Sequence, residues 1–568
     1  MNIFFKLRQG WWHFQAPVDA LVVTDAADVR PALRYLEQRI EREQLYAAGY
    51  VSYEAAAGFG LSVRPPIAAL PLLWFGLYRA PQRLALLPPT HGDYQLGRWQ
   101  LPLTLPEYQQ QIDRIKALLA AGVSYQMNYT LSQQTAFVGD PWRLLHVFNR
   151  EPASYLAYLD LGEQVIVSAS PELFFRRRGK KIWMRPMKGT APRGRNSTED
   201  QRAAAQLRHS SKERAENLMI VDMVRNDLGR IAELGSVRVP ELFAIERYRT
   251  LLQMTSTVTA HTKAPLDQLF AALFPCASVT GAPKVETMRQ LAALETSPRG
   301  VYTGAIGWIA PQRRACFAVA IRTAQIDLRQ QRLIYGTGSG IVWDADAAAE
   351  YAECQLKTRV MQPTTTDFEL LETLRWEPDR GYWLYQRHLK RLYASADYFH
   401  FVCRPDMVAQ ALLLQARNLR AAAKIRLLVN AQGDVRTQAQ PLPAAATRPL
   451  RVALAQQPID PQTPWLYHKT TRRDLYTRAR AARPDCDEVL LWNPAGQVTE
   501  ATTANLVVVR DGQWLTPTVD CGLLPGTFRA QLLADGLIAE AIIEREHLKH
   551  AVIFLINSVR GWQVAQLI

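Results

Sequence analysis

Apolar positions along the first 360 residues follow two different spacings. Short runs that are continuously or alternately apolar predict strands at 164–170, 303–310 and 315–326. Longer stretches with apolar residues three and four positions apart predict helices at 107–122 and 212–230. Strands and helices that alternate along a chain in this way are typical of mixed α/β folds.

The periodicity breaks at 360-VMQPTTTD-367, where a proline and a run of threonines interrupt it. A second series of elements follows, and a chain of 568 residues exceeds what one hydrophobic core usually organises. The second series comprises a segment at 368–376, a helix at 384–399, and strands near 424–430, 487–493 and 551–559. We therefore predict a first module over 1–360, divided into an N-terminal part at 1–100 and a core at 101–360, a linker at 361–367, and a second module over 368–568.

Composition narrows the possible functions. The six cysteines include no CxxC pair, so neither a disulfide framework nor a thiolate zinc site is expected. The formal charge of +15 is spread over the chain, and a basic surface with anion sites accounts for it better than nucleic-acid binding does. The N-terminus lacks the features of a signal peptide, and no apolar run reaches membrane length. We expect a soluble, cytoplasmic protein that binds neither nucleic acid nor membrane.

Two acidic pairs place carboxylates three residues apart on helical faces: Glu213 with Glu216, and Glu350 with Glu353. Taken alone, such pairs are typical of solvated helix faces, and Lys357 could pair with Glu353 at i+4. The alternative is that one carboxylate from each helix holds Mg²⁺, which prefers hard oxygen ligands and keeps positions for water and an anionic substrate.

Seven stretches around these acidic pairs carry a more specific signal: 170-SPE-172, 186-PMKGTAPRG-194, 213-ERAENLMIVDMVRNDLGR-230, 274-FPCASVTGAPKVETM-288, 321-IRT-323, 338-GSG-340 and 350-EYAECQLK-357. In this order and approximate spacing they resemble the chorismate-utilising enzymes over roughly residues 100–360. Anthranilate synthase and aminodeoxychorismate synthase component I are the members that the stretches resemble. Seven ordered motifs are far more specific than any one of them.

This resemblance implies a β-sheet sandwich with flanking helices and a binding site for chorismate, which is a dianion. It implies that Glu216 and Glu353 bind Mg²⁺, and that Arg322 and Tyr302 contact the substrate, Arg322 through a carboxylate. Ordinary tight turns are the alternative interpretation of the glycines in these motifs. The resemblance implies instead that backbone N–H groups approach the ligand at four small residues, namely Gly189, Thr190, Gly338 and Gly340.

Lys188 indicates which reaction the family resemblance implies. Anthranilate synthases have a small apolar residue at this position, whereas aminodeoxychorismate synthases resemble this chain in having a lysine that attacks C2 of chorismate. A nucleophilic amine must be neutral, so we expect cationic neighbours or partial burial to favour the neutral form. Glu172 would be the general acid that protonates the departing C4 hydroxyl group. Ammonia would then add at C4 and expel the lysine.

Two glutamines also favour amination. Gln126 stands where isochorismate and salicylate synthases carry a lysine that activates water. Gln253 stands where many family members have a histidine, and if that histidine assists pyruvate elimination, its absence fits a product that keeps the enolpyruvyl group. The sequence lacks a nucleophilic cysteine elbow with a downstream His-x-Glu arrangement. We therefore expect the ammonia to come from a separate glutamine amidotransferase subunit or from solution.

The second module contains four stretches that are specific as a set, although none is specific alone: 388-HLKRL-392, 467-YHKTTRRDLY-476, 498-VTEATTANLVV-508 and 523-LLPGTFRAQLL-533. They resemble the fold-type IV pyridoxal-phosphate enzymes, which have two α/β subdomains. The resemblance implies that Lys469 bonds covalently to the cofactor and then acts as acid and base, and that Glu500 pairs with the pyridine nitrogen. The cofactor phosphate would be bound by Arg391 and by backbone N–H groups at a helix N-terminus, those of Gly526, Thr527 and Phe528.

Fold-type IV motifs do not separate a lyase from an aminotransferase, because both need the same lysine, acid and phosphate site. The fusion favours 4-amino-4-deoxychorismate lyase, because the product of the first module carries an amine that can react with the cofactor. Arg560 and Arg426 are candidate carboxylate contacts, with structural salt bridges as the alternative. A homodimer through the second module is possible for this fold.

Two rival hypotheses remain open. One is an anthranilate synthase fused to a branched-chain or D-amino-acid aminotransferase, which Lys188 and the pathway logic oppose. The other is a non-catalytic basic binding protein on a degenerate enzyme scaffold, which predicts that the catalytic residues are lost. The sequence retains all six of them: Lys188, Glu172, Glu216, Glu353, Lys469 and Glu500.

Overall fold

The elements of the chain fall into two units. The computed structural model describes residues 1–90, 92–149, 155–361, 368–444 and 446–568. Among these, one unit comprises 1–192 and 204–361, and the other comprises 193–203 and 368–568. The predicted linker at 361–367 lies outside the described residues except for Met361.

The helices and strands of the described residues are numbered in chain order. The helices are α1 (Val29–Glu43), α2 (Leu105–Ala120), α3 (Pro141–Phe148), α4 (Ser197–His209), α5 (Ser211–Gly229), α6 (Leu266–Leu273), α7 (Lys284–Leu294), α8 (Ala347–Leu356), α9 (Tyr385–Phe399), α10 (Pro405–Arg417), α11 (Asp474–Ala481) and α12 (Thr527–Ala534). The strands up to Ile341 are β1 (Asn2–Lys6), β2 (Trp11–Gln15), β3 (Asp19–Val23), β4 (Tyr46–Val51), β5 (Leu73–Tyr78), β6 (Gln82–Leu84), β7 (Tyr94–Leu96), β8 (Gln126–Gly139), β9 (Tyr155–Asp160), β10 (Gln164–Ser170), β11 (Leu173–Arg178), β12 (Lys181–Arg185), β13 (Met187–Pro192), β14 (Arg238–Arg247), β15 (Leu251–His261), β16 (Gly281–Ala282), β17 (Ala305–Ala310), β18 (Arg314–Val319), β19 (Thr323–Asp327) and β20 (Arg332–Ile341). Those that follow are β21 (Leu370–Glu377), β22 (Gly381–Tyr382), β23 (Ala423–Val429), β24 (Val435–Pro441), β25 (Leu450–Leu454), β26 (Glu488–Trp492), β27 (Val498–Ala501), β28 (Asn505–Arg510), β29 (Gln513–Pro517), β30 (Ala539–Ala541), β31 (Val552–Asn557) and β32 (Gly561–Leu567).

The first unit is a sandwich of two ten-stranded sheets. The first sheet has the order β16-β8-β20-β19-β10-β9-β1-β2-β6 with β7 beside β8, and the second has the order β13-β15-β12-β11-β18-β17-β4-β5-β3 with β14 beside β15. Apolar residues of β1, β2, β9 and β10 pack against those of β4, β5 and β17, and this core joins the facing sides of the sheets. Helices α1, α5 and α6 cover the outer side of the second sheet, and α3 packs on the first. The predicted mixed α/β architecture is confirmed.

One strand prediction is wrong. The segment 315–326 was expected to form a single strand, but it forms β18 in the second sheet and β19 in the first. Between the two strands, Arg322 has a φ of 50°, in the left-handed region that interrupts an extended chain. The apolar pattern could not reveal the break, because the residues on both sides of it are buried. Arg322 consequently lies where the chain passes from one sheet to the other.

The second unit has two sheets. The order β22-β21-β23-β24 forms a four-stranded sheet, and α9 and α10 pack against it in one core. The order β27-β26-β25-β32-β31-β28-β29-β30 forms an eight-stranded sheet with parallel and antiparallel neighbours. Helix α11 packs on this sheet through one core and α12 through another. Among the described residues, the helices are too short or too polar to cross a bilayer.

Candidate active sites

The backbone around Lys188 on β13 is held by two amide side chains. The Lys188 carbonyl accepts a hydrogen bond from Asn217 Nδ2 at 3.0 Å, and the Gly189 carbonyl accepts one from Gln253 Nε2 at 2.8 Å. The Thr190 hydroxyl donates to Gln253 Oε1 at 3.2 Å. Gln253 therefore fixes the strand segment that follows Lys188. Gly189 has a φ of 99°, which a residue with a side chain would adopt only with strain.

Three predicted site residues meet around the Lys188 amine: Glu216, Gln126 and Gly340. Lys188 Nζ lies 3.2 Å from Glu216 Oε2. A Cβ atom at Gly340 would lie 2.5 Å from Gln126 Nε2 and 3.1 Å from Lys188 Nζ, so glycine leaves the room that both side chains occupy. Gln126 is buried, and its Oε1 has no hydrogen-bond partner among the described residues. A buried amide oxygen is costly to leave unpaired, so this atom is suited to accept a hydrogen bond from a ligand or water.

Of the two alternatives expected for Lys188, cationic neighbours or partial burial, the structure shows partial burial. The charged group nearest to Nζ is the Glu216 carboxylate, because α5, which carries Glu216, packs against β13. The Lys188 side chain is 24% exposed. Glu213, one helical turn before Glu216, has its pKa raised by burial and by the charge of Glu216, while Lys188 opposes that shift.

Glu172 lies buried at the start of β11. Its Oε1 accepts a hydrogen bond from Ser278 Oγ at 2.6 Å, and Cys276 Sγ lies 3.9 Å from the same oxygen. Burial raises the pKa of Glu172 to about 7, against the opposing effects of Ser278 and of the Met187 backbone. The contact with Met187 places this carboxyl beside the strand segment that carries Lys188. A carboxylic acid that stays protonated near neutral pH is suited to give up a proton in a reaction.

Strand β20 carries three glycines on alternate positions, which therefore share one face. A Cβ atom at Gly336 would lie 2.0 Å from the ring of Tyr302, and one at Gly340 would meet Gln126 and Lys188. The third glycine, Gly338, accepts a hydrogen bond from Lys357 Nζ through its carbonyl at 2.7 Å. We call this face of β20 the glycine furrow, defined by Gly336, Gly338 and Gly340. Tyr302 is buried against one end of the furrow, and Lys188 lies at the other.

Arg322 is half-buried between the two sheets of the sandwich. Its guanidinium lies 5.7 Å from the centre of the Tyr248 ring, and among the described residues no carboxylate forms an ion pair with it. Its charge also acts against the raised pKa of buried Tyr335, which neighbours Gly336 on β20. A half-buried guanidinium with no carboxylate partner is suited to bind a carboxylate of a ligand.

The two predicted metal ligands are each paired with a lysine. Glu216 contacts Lys188, and Glu353 Oε1 lies 2.8 Å from Lys357 Nζ, the i+4 pairing that the sequence left open. In the described part of the chain, no three His, Cys, Asp or Glu side chains cluster closely enough to hold a metal ion. Glu216 and Glu353 are partly exposed carboxylates, the ligand type of which Mg²⁺ often takes one or two while water and substrate complete its coordination.

The second unit contains a cavity of about 380 Å³ that includes every residue predicted for the second module. Its lining includes Lys469, Glu500, Arg391, Gly526, Thr527, Phe528, Arg426 and Arg560. These residues come from strands, helices and turns far apart in sequence, and the fold brings them to one cavity.

Lys469 is buried in this cavity. Burial lowers the pKa of Lys469 to about 8, and the positive charges of Arg391 and Arg473 add to the shift. Its carbonyl accepts a hydrogen bond from the Leu371 N–H at 3.0 Å, which ties the lysine backbone to β21. A buried amine with a lowered pKa is suited to covalent chemistry with a carbonyl group.

Glu500 faces the same cavity within a set of hydrogen bonds. Its Oε1 accepts from Tyr476 Oη at 2.8 Å and from the Leu524 N–H at 3.1 Å, and its Oε2 accepts from Asn505 Nδ2 at 3.2 Å. Burial raises the pKa of Glu500 to about 7. The carboxyl group is thus fixed in orientation and suited to pair with a basic ring nitrogen.

A candidate anion site lies at the start of α12. A Cβ atom at Gly526 would lie 1.9 Å from Asn505 Oδ1, so only glycine fits at this helix entry. Arg391 donates two hydrogen bonds to Glu372, at 2.8 and 2.7 Å, and this carboxylate also contacts His388 Nδ1 at 2.7 Å. Burial alone would raise the pKa of Glu372, but Arg391 and His388 lower it to about 2. The ionised Glu372 therefore orients Arg391 beside the unpaired N–H groups of the helix.

Three cationic side chains line another part of the cavity. Lys424 and Arg426 alternate along β23 and share a face, and Arg560 lies in the turn after β31. Burial, Arg426 and Arg560 together lower the pKa of Lys424. Among the described residues, no carboxylate within 4.0 Å neutralises any of the three. Such a cluster of like charges is suited to a ligand with more than one negative group.

Several residues of both sites were missed by sequence reasoning. Asn217 and Ser278 lie inside recognised motifs, so their positions were visible but their roles were not. The residues missed in the second site are Glu372, Arg473, Tyr476, Asn505 and Lys424. The pairing of Glu372 with Arg391 and His388 had no local signal, because the three residues meet only in the folded unit.

Comparison with known proteins gives two family matches. Residues 6–363 match the family described as chorismate binding enzyme, and residues 369–568 match the family described as amino-transferase class IV. Aminodeoxychorismate synthase component 1 of Bacillus subtilis (strain 168) is 36% identical over 269 residues, which cover 47% of this chain and 57% of that protein. The protein of the same name from Salmonella typhimurium (strain LT2) is 38% identical over 280 residues, covering 48% of this chain and 61% of that protein.

The chain thus spans between 57% and 61% of the length of these two relatives. Among solved structures, anthranilate synthase component I from Streptococcus pneumoniae TIGR4 aligns with a TM-score of 0.54 at 23% identity, covering 64% of this chain and 92% of that chain. This similarity shows the fold of the first unit.

Proposed function

Because the chain belongs to the chorismate binding enzyme family and carries a class IV amino-transferase domain after it, we propose that it makes 4-aminobenzoate in two steps. The first unit aminates chorismate at C4 to 4-amino-4-deoxychorismate, and the second unit eliminates pyruvate from that product. The observation that carries the proposal is Lys188, a lysine amine that reaches the glycine furrow beside Gln126. Anthranilate formation needs no nucleophile at this position.

In the first unit, Lys188 acts as the nucleophile and Glu172 as the acid. The Lys188 amine forms a bond to C2 of chorismate, both conjugated ring double bonds shift (C1=C2 to C6=C1 and C5=C6 to C4=C5), and the C4–O bond breaks. Glu172 gives its proton to the departing hydroxyl group, which leaves as water. Ammonia then bonds to C4, both double bonds shift back, and the bond between C2 and Lys188 breaks. The added nitrogen returns one proton to Glu172, so both residues end as they began.

Substrate binding uses the remaining predicted residues of the first unit. Arg322 binds one carboxylate of chorismate. Tyr302 and Gln126 contact the two sides of the chorismate ring. The absence of bulky side chains at Gly189, Thr190, Gly338 and Gly340 allows chorismate to approach the backbone closely. Glu216 and Glu353 would hold Mg²⁺, which when bound offsets the charge of the other carboxylate.

The cavity of the second unit fits pyridoxal 5′-phosphate. Lys469 would provide the covalent attachment, Glu500 would pair with the ring nitrogen, and Arg391 with the N–H groups of Gly526, Thr527 and Phe528 would bind the phosphate. When bound, the cofactor supplies an electron-accepting ring conjugated to the substrate amine. Lys469 takes the proton from C4 of the substrate, the C3–O bond breaks, and the ring becomes aromatic. The departing enolate takes up that proton to become pyruvate, which returns Lys469 to its neutral form.

The cationic cluster supports the lyase over an aminotransferase for branched-chain or D-amino acids. Aminodeoxychorismate carries two carboxylates, one on the ring and one on the enolpyruvyl group. Lys424, Arg426 and Arg560 match that pair of charges, whereas an aliphatic amino acid offers a single carboxylate. Elimination is therefore the reaction that this cavity favours.

Two partners belong to the proposal. Ammonia is supplied by a glutamine amidotransferase subunit, since amination requires a nitrogen source. A second copy of the chain associates through the second unit, where an apolar face is exposed to solvent. The exposed fractions of Trp514, Trp562 and Val564 on this face are 39%, 39% and 49%.

Product identification tests the proposal. The protein is incubated with chorismate, ammonium, Mg²⁺ and pyridoxal phosphate, and the products are separated and identified by mass spectrometry against standards. We expect 4-aminobenzoate and one equivalent of pyruvate. Anthranilate in place of 4-aminobenzoate would overturn the proposal, as would a failure to consume chorismate in a folded, cofactor-loaded protein.

A further inference from the structure

A short segment of the chorismate-binding family region belongs to the second unit. Residues 193–203 lie within the family match at 6–363, yet they group with 368–568 in the fold. The segment begins immediately after β13 and includes the start of α4. We call it the crossover segment, defined by residues 193–203. Its contacts within the second unit include Tyr398 on α9 and Tyr467, which lies two positions before Lys469.

Arg195 of the crossover segment holds Tyr467. Its guanidinium lies 4.8 Å from the centre of the Tyr467 ring, and Nη1 donates to Tyr467 Oη at 2.6 Å. The same guanidinium is oriented by Glu199 at 2.6 Å and by Asp520 at 3.1 Å. Tyr467 Oη in turn donates to the Pro461 carbonyl at 2.8 Å. Arg195 therefore fixes both the ring and the hydroxyl group of a residue two positions before Lys469.

Arg193 holds His468 through Tyr398. The guanidinium of Arg193 lies 4.4 Å from the centre of the Tyr398 ring, and that ring stacks on the His468 imidazole at 4.3 Å. Arg193 is anchored by the buried carboxylate of Asp200 at 2.5 Å, and Tyr398 Oη donates to the Gly194 carbonyl at 2.8 Å. The stack therefore connects the crossover segment to the residue next to Lys469.

His468 is packed from several directions. Its Nδ1 lies 2.9 Å from Ser395 Oγ on α9, and the Phe399 ring meets it edge-on at 4.8 Å. Burial lowers the pKa of His468 to about 4, so the imidazole is neutral near pH 7, while the backbone of Arg195 acts against this shift. On the side of β21, the Leu371 N–H holds the Lys469 carbonyl. The backbone of the lysine is thus fixed by β21 and by the stack that the crossover segment completes.

We propose that the crossover segment positions Lys469, so that Arg195 and Arg193 act as positioning residues for the second site. This inference rests on the proposed role of Lys469 in binding the cofactor. A reactive side chain must be held in place because a displacement of about 1 Å can reduce activity by about a hundredfold. The lysine side chain has four rotatable bonds, so its reach into the cavity depends on a fixed backbone. The chorismate-binding part of the sequence thereby supplies a component of the second site.

The test compares Arg195→Ala with Arg202→Ala in the full chain. Arg202 lies on α4 in the same crossover segment and is exposed, so its replacement removes the same charge without touching Tyr467. The first measurement needs no cofactor: the pH dependence of Lys469 labelling by an amine-reactive reagent, followed by peptide mass spectrometry. The second is the dissociation constant for pyridoxal phosphate, from its visible absorption, with borohydride reduction and peptide mapping to identify the modified residue.

We expect Arg195→Ala to change both measurements and Arg202→Ala to change neither. A loosened Lys469 becomes better solvated, so its apparent pKa should rise from the value of about 8 set by burial. Around its amine, Arg391 and Arg473 favour the neutral form, and Glu372 and Glu500 favour the charged form. Cofactor affinity should fall by about tenfold or more. Arg195→Lys, which keeps the charge but loses the planar fork, should restore only part of the effect.

If Arg195→Ala unfolds the second unit, Tyr467→Phe decides, because it keeps the aromatic ring and removes only the hydroxyl group that Arg195 contacts. The inference would be overturned if folded Arg195→Ala showed the wild-type labelling profile for Lys469. If Arg195→Ala does not fold, the same result in Tyr467→Phe would overturn it. A failure of this inference can be distinguished from a failure of the proposed function. If the proposed function is wrong, the wild-type chain does not take up pyridoxal phosphate at Lys469. The labelling profile of Lys469 would then still show whether the crossover segment positions this residue.

Discussion

The two proposed reactions of this chain each depend on one lysine, and the two lysines lie in different surroundings. Lys188 is partly exposed and lies beside the Glu216 carboxylate, whereas Lys469 is buried beside Arg391 and Arg473. Sequence motifs located both lysines, because each lies in a stretch with neighbours of known family roles. Their electrostatic surroundings could not be read from those motifs, since Glu216 beside Lys188, and every charged neighbour of Lys469 except Arg473, come from segments distant in sequence.

At the residue scale, the pH dependence of amination should report on Glu172. The pKa of this acid is raised to about 7, so its proton is available below that pH and is lost as the pH rises through it. We expect the amination rate, measured at constant free ammonia, to fall above about pH 7. Ser278→Ala removes a hydrogen bond that favours the ionised form and should move this fall upward by roughly half to one pH unit.

Glu172→Gln is the companion variant for this prediction. It should lower the amination rate by about 10² to 10⁴-fold and remove the falling limb of the profile. The elimination of pyruvate from supplied aminodeoxychorismate should keep its wild-type rate in both variants. A falling limb that persists in Glu172→Gln would assign it to another group.

At the scale of elements, β20 is the strand around which the first site is arranged. The motif 338-GSG-340 indicated close approach of a ligand to the backbone. The structure adds that Gly336 makes room for the ring of Tyr302, and that Gly340 makes room for Gln126 and Lys188. Gly336 lies just outside the recognised motif, so nothing in the sequence distinguished it from a glycine in an ordinary strand.

Gly340→Ala should impair amination while leaving the second site intact. The added Cβ atom would lie 2.5 Å from Gln126 Nε2 and 3.1 Å from Lys188 Nζ. The side chains of Gln126 and Lys188, which are proposed to contact the substrate, must therefore move. A displacement of this kind reduces rates by about a hundredfold. Steady-state rates of chorismate consumption and of pyruvate release from supplied aminodeoxychorismate separate the two effects.

Gly229→Ala serves as the matched control for this variant. Gly229 ends α5, and a Cβ atom there would meet no other atom within 4 Å, so alanine should be tolerated. Amination at the wild-type rate in folded Gly340→Ala would show that the furrow does not limit substrate binding.

Element prediction from the sequence succeeded where one face of an element is apolar and failed where the chain changes sheets. Strand β10 and helices α2 and α5 follow the predicted ranges closely. The predicted strand over 315–326 failed because buried residues lie on both sides of the turn at Arg322, so the apolar pattern shows no clear break. Backbone conformation at a single residue, rather than hydrophobicity, separates β18 from β19.

At the scale of the whole molecule, the sequence placed the change of composition near residue 360 and the family resemblances on either side of it. It gave no sign that residues 193–203 group with the second unit. The sequence of this segment is polar and charged and leads into a helix, which is typical of exposed segments in either unit. Its membership depends on contacts with Tyr398, Tyr467 and His468, which are more than 190 residues away in sequence.

The central claim is that two separate sites act in sequence, and single lysine variants of the full chain test it most directly. Product analysis with chorismate, ammonium, Mg²⁺ and pyridoxal phosphate should show that Lys469→Ala accumulates aminodeoxychorismate and forms no 4-aminobenzoate. Lys188→Ala should reduce chorismate consumption by at least roughly 10³-fold, yet convert supplied aminodeoxychorismate at the wild-type rate. The exposed lysines Lys180 and Lys549 provide matched alanine controls. Loss of both activities in either folded variant would contradict the two-site account.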